Sequence, residues 1–247
     1  MKLFNLSICL LLLILSCGSD PKPTVVYPTD STKVEDDQKL VTDTTLVLAG
    51  ELPIFFDSTD YLLFPIGPIR VYSRGDSKIY FGSGSSGDKS FAIGYLSGTT
   101  FTGNLDNVML QHLDSVDFRP FTEQKLKMRS FKFLESIRKK TGSQIVLLEV
   151  TDRDTNGDGK LTDRDVEALY LSRLDGTSFT KVSIDFHELL DWKVLTVNRR
   201  LYFRTLEDTD KNGEFNRKDK IHYYFVKLDQ PEFKAIEYNP LNEKNIL

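Results

Sequence analysis

Cysteine is nearly missing from these 247 residues: there are two, and Cys9 lies inside an apolar run near the start. Cys17 is then the only thiol left, so the chain has no internal disulfide and no catalytic thiol in its body. A Gly-x-Ser-x-Gly elbow is missing as well, which leaves nucleophilic catalysis without a candidate. Histidine is scarce. His112, His187 and His222 show no metal-binding spacing, and His187-Glu188 lacks the second histidine of a zinc-protease helix. Positive charge is not in excess either, with 32 Lys and Arg against 36 Asp and Glu, a formal charge of −4. Nucleic-acid binding needs a concentrated basic face, and Arg138-Lys139-Lys140 is only a short cluster, read as a solvated turn. Gly82-Ser-Gly84-Ser-Ser-Gly87 fits the dinucleotide pattern after a strand-like Lys78–Phe81. The following Phe91–Gly98 is strand-like and broken by glycines where a helix is required, and Asp88 separates Gly87 from Lys89, so it is no P-loop.

Long apolar runs are limited to Leu3–Leu15, which falls short of the roughly 20 residues that span a bilayer and reads as an export signal. The run stops at Ser16-Cys17-Gly18-Ser19, which resembles the lipobox of bacterial lipoproteins; Ile14 and Leu15 stand where that pattern usually has Leu and then a small residue. The resemblance implies that residues 1–16 are removed. Cys17 then carries the acyl chains, palmitate among them, that anchor the protein to a membrane of the cell envelope. The outer membrane is the expected place, with the body in the periplasm or at the cell surface. Residues 17–45, with Pro21, Pro23 and Pro28 and a Thr/Asp/Lys-rich run, read as the lipidated end and a flexible stalk reaching roughly 30 Å.

From residue 46 to 247 short β-like runs rich in Val, Ile, Tyr and Phe alternate with turn residues: 61–64, 68–73, 78–81, 107–113, 145–150, 167–174, 194–197, 200–206, 221–228 and 233–238. Residues 125–137 fit a strand or a helix face, and strand is the reading preferred. An internal repeat runs through this region. Asp154–Asp165 aligns with Asp208–Asp219 at an offset of 54, and the match continues through Leu169-Tyr170-Leu171 on Tyr223-Tyr224-Phe225. An upstream copy, Val108-Met109-Leu110, lies at an offset of 61. The expected fold is therefore all-β, built of repeated four-stranded units. Such an arrangement resembles β-propeller repeats of the WD40-like periplasmic kind, without their Trp-Asp signature, and implies about four blades; a two-sheet β-sandwich is the alternative.

Both copies contain an oxygen-rich stretch of twelve residues. Calcium takes six to eight oxygens, and an EF-hand-type loop supplies them from positions 1, 3, 5, 7, 9 and 12, with glycine at position 6. In 154–165 these are Asp154, Asn156, Asp158, Lys160 through its carbonyl, Thr162 and Asp165, with Gly159 at the turn. In 208–219 they are Asp208, Asp210, Asn212, Glu214 through its carbonyl, Asn216 and Asp219, with Gly213. Position 12 is Asp in both loops, as in dockerin modules, although the spacing and the strand-like flanks depart from both EF-hands and dockerins. A strand–loop–strand arrangement is expected, with two structural Ca²⁺ sites. Together these features predict a calcium-binding envelope lipoprotein that serves as a binding or scaffold module. It would be held to a membrane by lipid and engage a protein or glycan ligand, with no nucleic acid and no catalytic constellation. The alternative is a surface-attached, glycan-active enzyme on a propeller scaffold.

Overall fold

The computed structural model describes residues 22–27, 40–41, 46–73, 79–81 and 93–241. The export run, Cys17, the remainder of the stalk and the Gly82–Gly87 segment lie outside the described residues.

In chain order the elements are β1 (Leu46–Gly50), β2 (Ile54–Phe55), β3 (Tyr61–Ser73), β4 (Ile79–Phe81), β5 (Gly94–Ser97), β6 (Thr100–Leu105), β7 (Asn107–His112) and β8 (Arg119–Pro120). They continue with β9 (Lys127–Phe133), α1 (Glu135–Thr141), β10 (Ile145–Thr151), β11 (Ala168–Arg173), β12 (Thr180–Lys181), β13 (His187–Leu195), β14 (Arg200–Glu207), β15 (Lys220–Lys227) and β16 (Ala235–Glu237). All pairings between these strands are antiparallel, in three sheets. The first has the order β1-β3-β7-β8 with β2 and β4 also on β3, the middle one β12-β11-β10-β9-β6-β5, and the third β13-β14-β15-β16.

Three expectations shift. Residues 61–64 and 68–73 are one strand, which continues through Pro65 and Pro68. Its β7 partner ends at Ile66 and its β1 partner begins there, so these prolines fall beside a change of neighbour, where a missing N–H is tolerated. The segment 125–137 is strand and then helix. α1 is closed by Gly142 at φ +78, whose N–H donates to the Arg138 carbonyl. The strand expected at 194–197 begins instead at His187, because a bulge between Leu189 and Asp191 breaks the apolar alternation that would have revealed it.

The repeat is real at the level of pairing. Leu148 of β10 faces Tyr170 of β11, and Phe203 of β14 faces Tyr224 of β15. After the loops the sequence offset of 54 holds, whereas before them the equivalent residues are 55 apart, so the first loop is approached through one extra residue.

Alternation explains the packing. Val146, Leu148, Val150, Ala168 and Tyr170 lie in a core shared with Leu63, Val108 and Leu110 of the first sheet. The intervening Ile145, Leu147, Leu169 and Leu171 lie in a second core with Leu201, Phe203, Tyr224 and Val226 of the third. The middle sheet is thus buried on both faces, which is why β10 reads as a near-continuous apolar run. Two cores among three sheets differ from a two-sheet sandwich, which has one.

Candidate metal centre

Each twelve-residue loop closes a hairpin: 154–165 between β10 and β11, and 208–219 directly between β14 and β15. The strand–loop–strand arrangement puts position 1 at the end of one strand and position 12 near the start of the next, and the two terminal aspartates organise what lies between. Asp154 accepts the N–H of Gly159 at 2.7 Å and of Asp158 at 3.1 Å; Asp208 accepts those of Gly213 at 2.7 Å and Asn212 at 3.2 Å. Asp165 accepts from Thr155 and Thr162, both at 2.8 Å, and Asp219 from Thr209 at 3.1 Å and Asn216 at 2.7 Å. Inner positions repeat too: the Lys160 N–H donates to Asp158 as the Glu214 N–H does to Asn212, at 2.9 and 2.8 Å.

The backbone turns where the pattern requires it. Gly159 and Gly213 at position 6 have φ of +79 and +85, and position 4 is also left-handed, with Gly157 at +75 and Lys211 at +54. In the second loop Asp208, Asp210 and Asp219 bring carboxylate oxygens within 4.8 Å of one another, the one such group among the described residues. That donor set is hard oxygen throughout and suits Ca²⁺ better than a thiolate- or imidazole-seeking ion. Loop 1 has Asn156 where loop 2 has Asp210, and its three carboxylates do not form such a group. Burial pushes the Asp165 carboxyl up, against the pull of its N–H donors, whereas the donors around Asp208 hold that carboxyl below its ordinary value despite its own burial.

The N-terminal segment read as stalk meets both loops. Thr24 N–H donates to the Arg164 carbonyl at 2.9 Å, Val26 N–H to Thr155 at 2.7 Å, and Val25 N–H to Gly213 at 3.0 Å. Thr155 Oγ1 returns a hydrogen bond to the Thr24 carbonyl at 2.8 Å, and Thr24 forms an antiparallel bridge with Glu214. Val25 is buried, at 4% exposure, and the Tyr27 hydroxyl donates to Asp208. Farther along, Val41 N–H reaches the Gly159 carbonyl at 2.7 Å. The segment is a strap across the two loops. Its signal was the Thr24-Val-Val-Tyr27 run, β-prone residues in an otherwise polar stretch.

Two other groupings have no counterpart in sequence spacing. His187 and His222 lie side by side on the inner face of the third sheet, with ring centroids 5.1 Å apart and planes tilted by 45°, and His222 lies 2.7 Å from Glu207 and 2.8 Å from Glu237. Burial and the neighbouring His222 push His187 down. Between the middle and third sheets, Glu188 accepts the Glu167 N–H at 3.0 Å, Glu167 lies 3.4 Å from Arg129, and Glu149 accepts from Trp192. Burial pushes Glu188 up to about 7. A cleft of about 380 Å³ runs between Thr99, Lys132, Glu135, Trp192 and Lys193, and its single carboxylate, Glu135, is paired with Lys139 at 2.7 Å.

Protein-family models, curated proteins and solved structures were all compared with the chain. None matches it. Chemistry for this chain therefore rests on its own geometry, and no helix among the described residues is long and apolar enough to cross a membrane.

Proposed function

We propose that this chain is a calcium-binding lipoprotein of the cell envelope, a binding or scaffold module in which two Ca²⁺ ions fasten hairpin ends and strap into one unit. One observation carries the reading: two loops of different sequence hold the same lattice of N–H donors on terminal aspartates, at an offset of 54, with ligand positions oxygen-bearing in both. An acidic loop held by backbone donors alone leaves carboxylate repulsion uncompensated, and a divalent cation offsets it. Lys160 and Glu214 would contribute their carbonyls, Thr162 and Asn216 the ninth position, and the terminal aspartates the ends.

Extracellular sites of this type bind with Kd near 0.1–1 mM, so at about 1 mM calcium each site adds roughly 0.4–1.4 kcal/mol of stability. The contribution matters in a body without disulfides. Face-to-face stacking of the sheets in chain order supports a propeller-like assembly of three blades, with β4 to β6 added through the long β3–β7 connection. Lipid attachment at Cys17 rests on the sequence resemblance.

The test is titration of the mature chain with Ca²⁺ by calorimetry, beside Asp154→Ala and Asp208→Ala. Two sites for the parent and one for each variant are expected. An absence of binding heat together with an unchanged melting curve in chelator would remove calcium from the account.

A further inference from the structure

The repeat assigns each sheet a face for the sheet before it and a face for the sheet after it. Leu110, Leu171 and Phe225 occupy one repeat position, at offsets of 61 and 54. Leu110 packs into the core against the middle sheet, and Leu171 into the core against the third. Phe225 points the same way from the last sheet, where the described residues offer no further sheet. It packs instead beside Tyr202 and Tyr238, at centroid distances of 5.9 and 6.1 Å, beneath the Arg200 guanidinium at 4.4 Å. The opposite series is Met109, Tyr170 and Tyr224. Tyr170 packs back on the first sheet and Tyr224 back on the middle one, while Met109 faces outward from the first sheet, where the described residues offer no earlier sheet. On that outer face Phe64 and Phe118 form an edge contact at 5.0 Å, and Phe118 remains 53% exposed.

Repeat arrays rely on uniformly polar terminal faces to remain single, whereas both of these carry aromatic clusters: Phe64 and Phe118 beside Met109 on the first sheet, and Tyr202, Tyr223 and Phe225 on the third, set among Arg200, Lys193 and the Arg204–Asp191 pair. Aromatic residues mixed with arginine are the composition enriched at protein interfaces. We propose that the outer face of the third sheet docks on the outer face of the first sheet of a second copy of this chain, continuing the stack between molecules. Charge supports this occupant. Consecutive sheets align their hairpin turns at one end, shown by Arg119 donating to the Asp175 carbonyl at 2.7 Å and Arg173 to the Gln230 carbonyl at 3.2 Å. At that end the third sheet carries Arg200 and Lys227, which pair across β14 and β15, whereas the first sheet carries Asp60, Asp114 and Asp117 around its turns. Stacked in the same sense, the basic end meets the acidic one. Because the two faces differ, the contact is heterologous: two copies that close on each other form a ring of six sheets, and copies that fail to close form a filament.

The test uses the mature chain, residues 17–247 with Cys17→Ser, by sedimentation velocity from about 1 to 100 µM, the weaker end of the affinity range for interfaces of standard size. A dimer or longer stack is expected. Phe225→Glu and Phe118→Glu should each weaken association at least about 30-fold, as for loss of a central aromatic anchor, with far-UV circular dichroism unchanged. Mixing the two variants should restore a heterodimer, since one intact third-on-first contact remains. Lys227→Glu, on an exposed residue that does not hold the fold, should weaken association as well, and Asp114→Lys in the other copy should restore it. A parent that stays monomeric throughout overturns the proposal. So does a Phe118→Glu variant that associates like the parent, which would point to third-on-third pairing or to a different occupant.

Discussion

A β-carbon placed on Gly213 would stand 2.5 Å from the carbonyl oxygen of Val25. The glycine at position 6 of the second loop therefore meets two requirements at once, a φ of +85 and the close passage of the strap. Gly213→Ala is expected to destabilise the protein by about 2–4 kcal/mol, from left-handed strain together with displacement of Val25. Urea unfolding measures it. A loss below 1 kcal/mol would mean that the strap does not bear on the loop.

Chelation should lower the melting temperature, and calcium should restore it. At about 1 mM Ca²⁺ the combined gain from two sites is about 1–3 kcal/mol, or roughly 2–10 °C for a domain of this size. Asp208→Ala should remove the larger share, because its loop is the one that gathers three carboxylates within 4.8 Å. Differential scanning calorimetry with and without EGTA decides this, and equal curves would contradict it.

Thr155 is buried at 5% exposure; its hydroxyl donates to the Thr24 carbonyl and accepts the Val166 N–H at 3.0 Å. Thr155→Val keeps the shape and removes both bonds, at an expected cost of about 1–3 kcal/mol. Amide exchange at Val25 and Val26 should rise by at least about tenfold if about 1.4 kcal/mol of that cost falls on strap docking. Unchanged protection at these amides would show that the strap is held from elsewhere.

Glu188 sets a pH dependence. Burial holds its carboxyl up to about 7, above the ordinary glutamate value of 4.5, with Glu167 adding repulsion and the Glu167 N–H and Arg129 opposing it. Between those two values the unfolded chain releases the proton while the folded chain keeps it, so stability falls as pH rises through that window and stays lower above it. Glu188→Gln should therefore stabilise at pH 8 by about 1–2 kcal/mol and have little effect at pH 4. Thermal melts at the two pH values measure the difference, and equal shifts at both would contradict the assignment.

The hairpins, their loops and the repeat were legible because each is written in local chemistry. Twelve residues fix which oxygens and which left-handed glycines belong to a loop, and Val/Ile/Tyr alternation fixes strands such as β10 and β15. β13 was only partly legible, since its bulge at Leu189 and Asp191 shifts the alternation by one. The single extra residue before the first loop was invisible, because sequence alignment follows the loops while strand register follows hydrogen bonding.

By itself the sequence determined an all-β body with two oxygen-lined loops at strand ends, because backbone turn geometry and side-chain donor type act over a dozen residues. Only the tertiary structure decided that Tyr27 reaches Asp208, that His187 meets His222, and that Glu188 is half-buried beside Glu167. Those partners are far apart in the chain for the first two pairs and on separate segments in all three. Their meeting depends on how the sheets stack and where the strap lies, which is set by the summed burial of many side chains rather than by any short stretch of sequence.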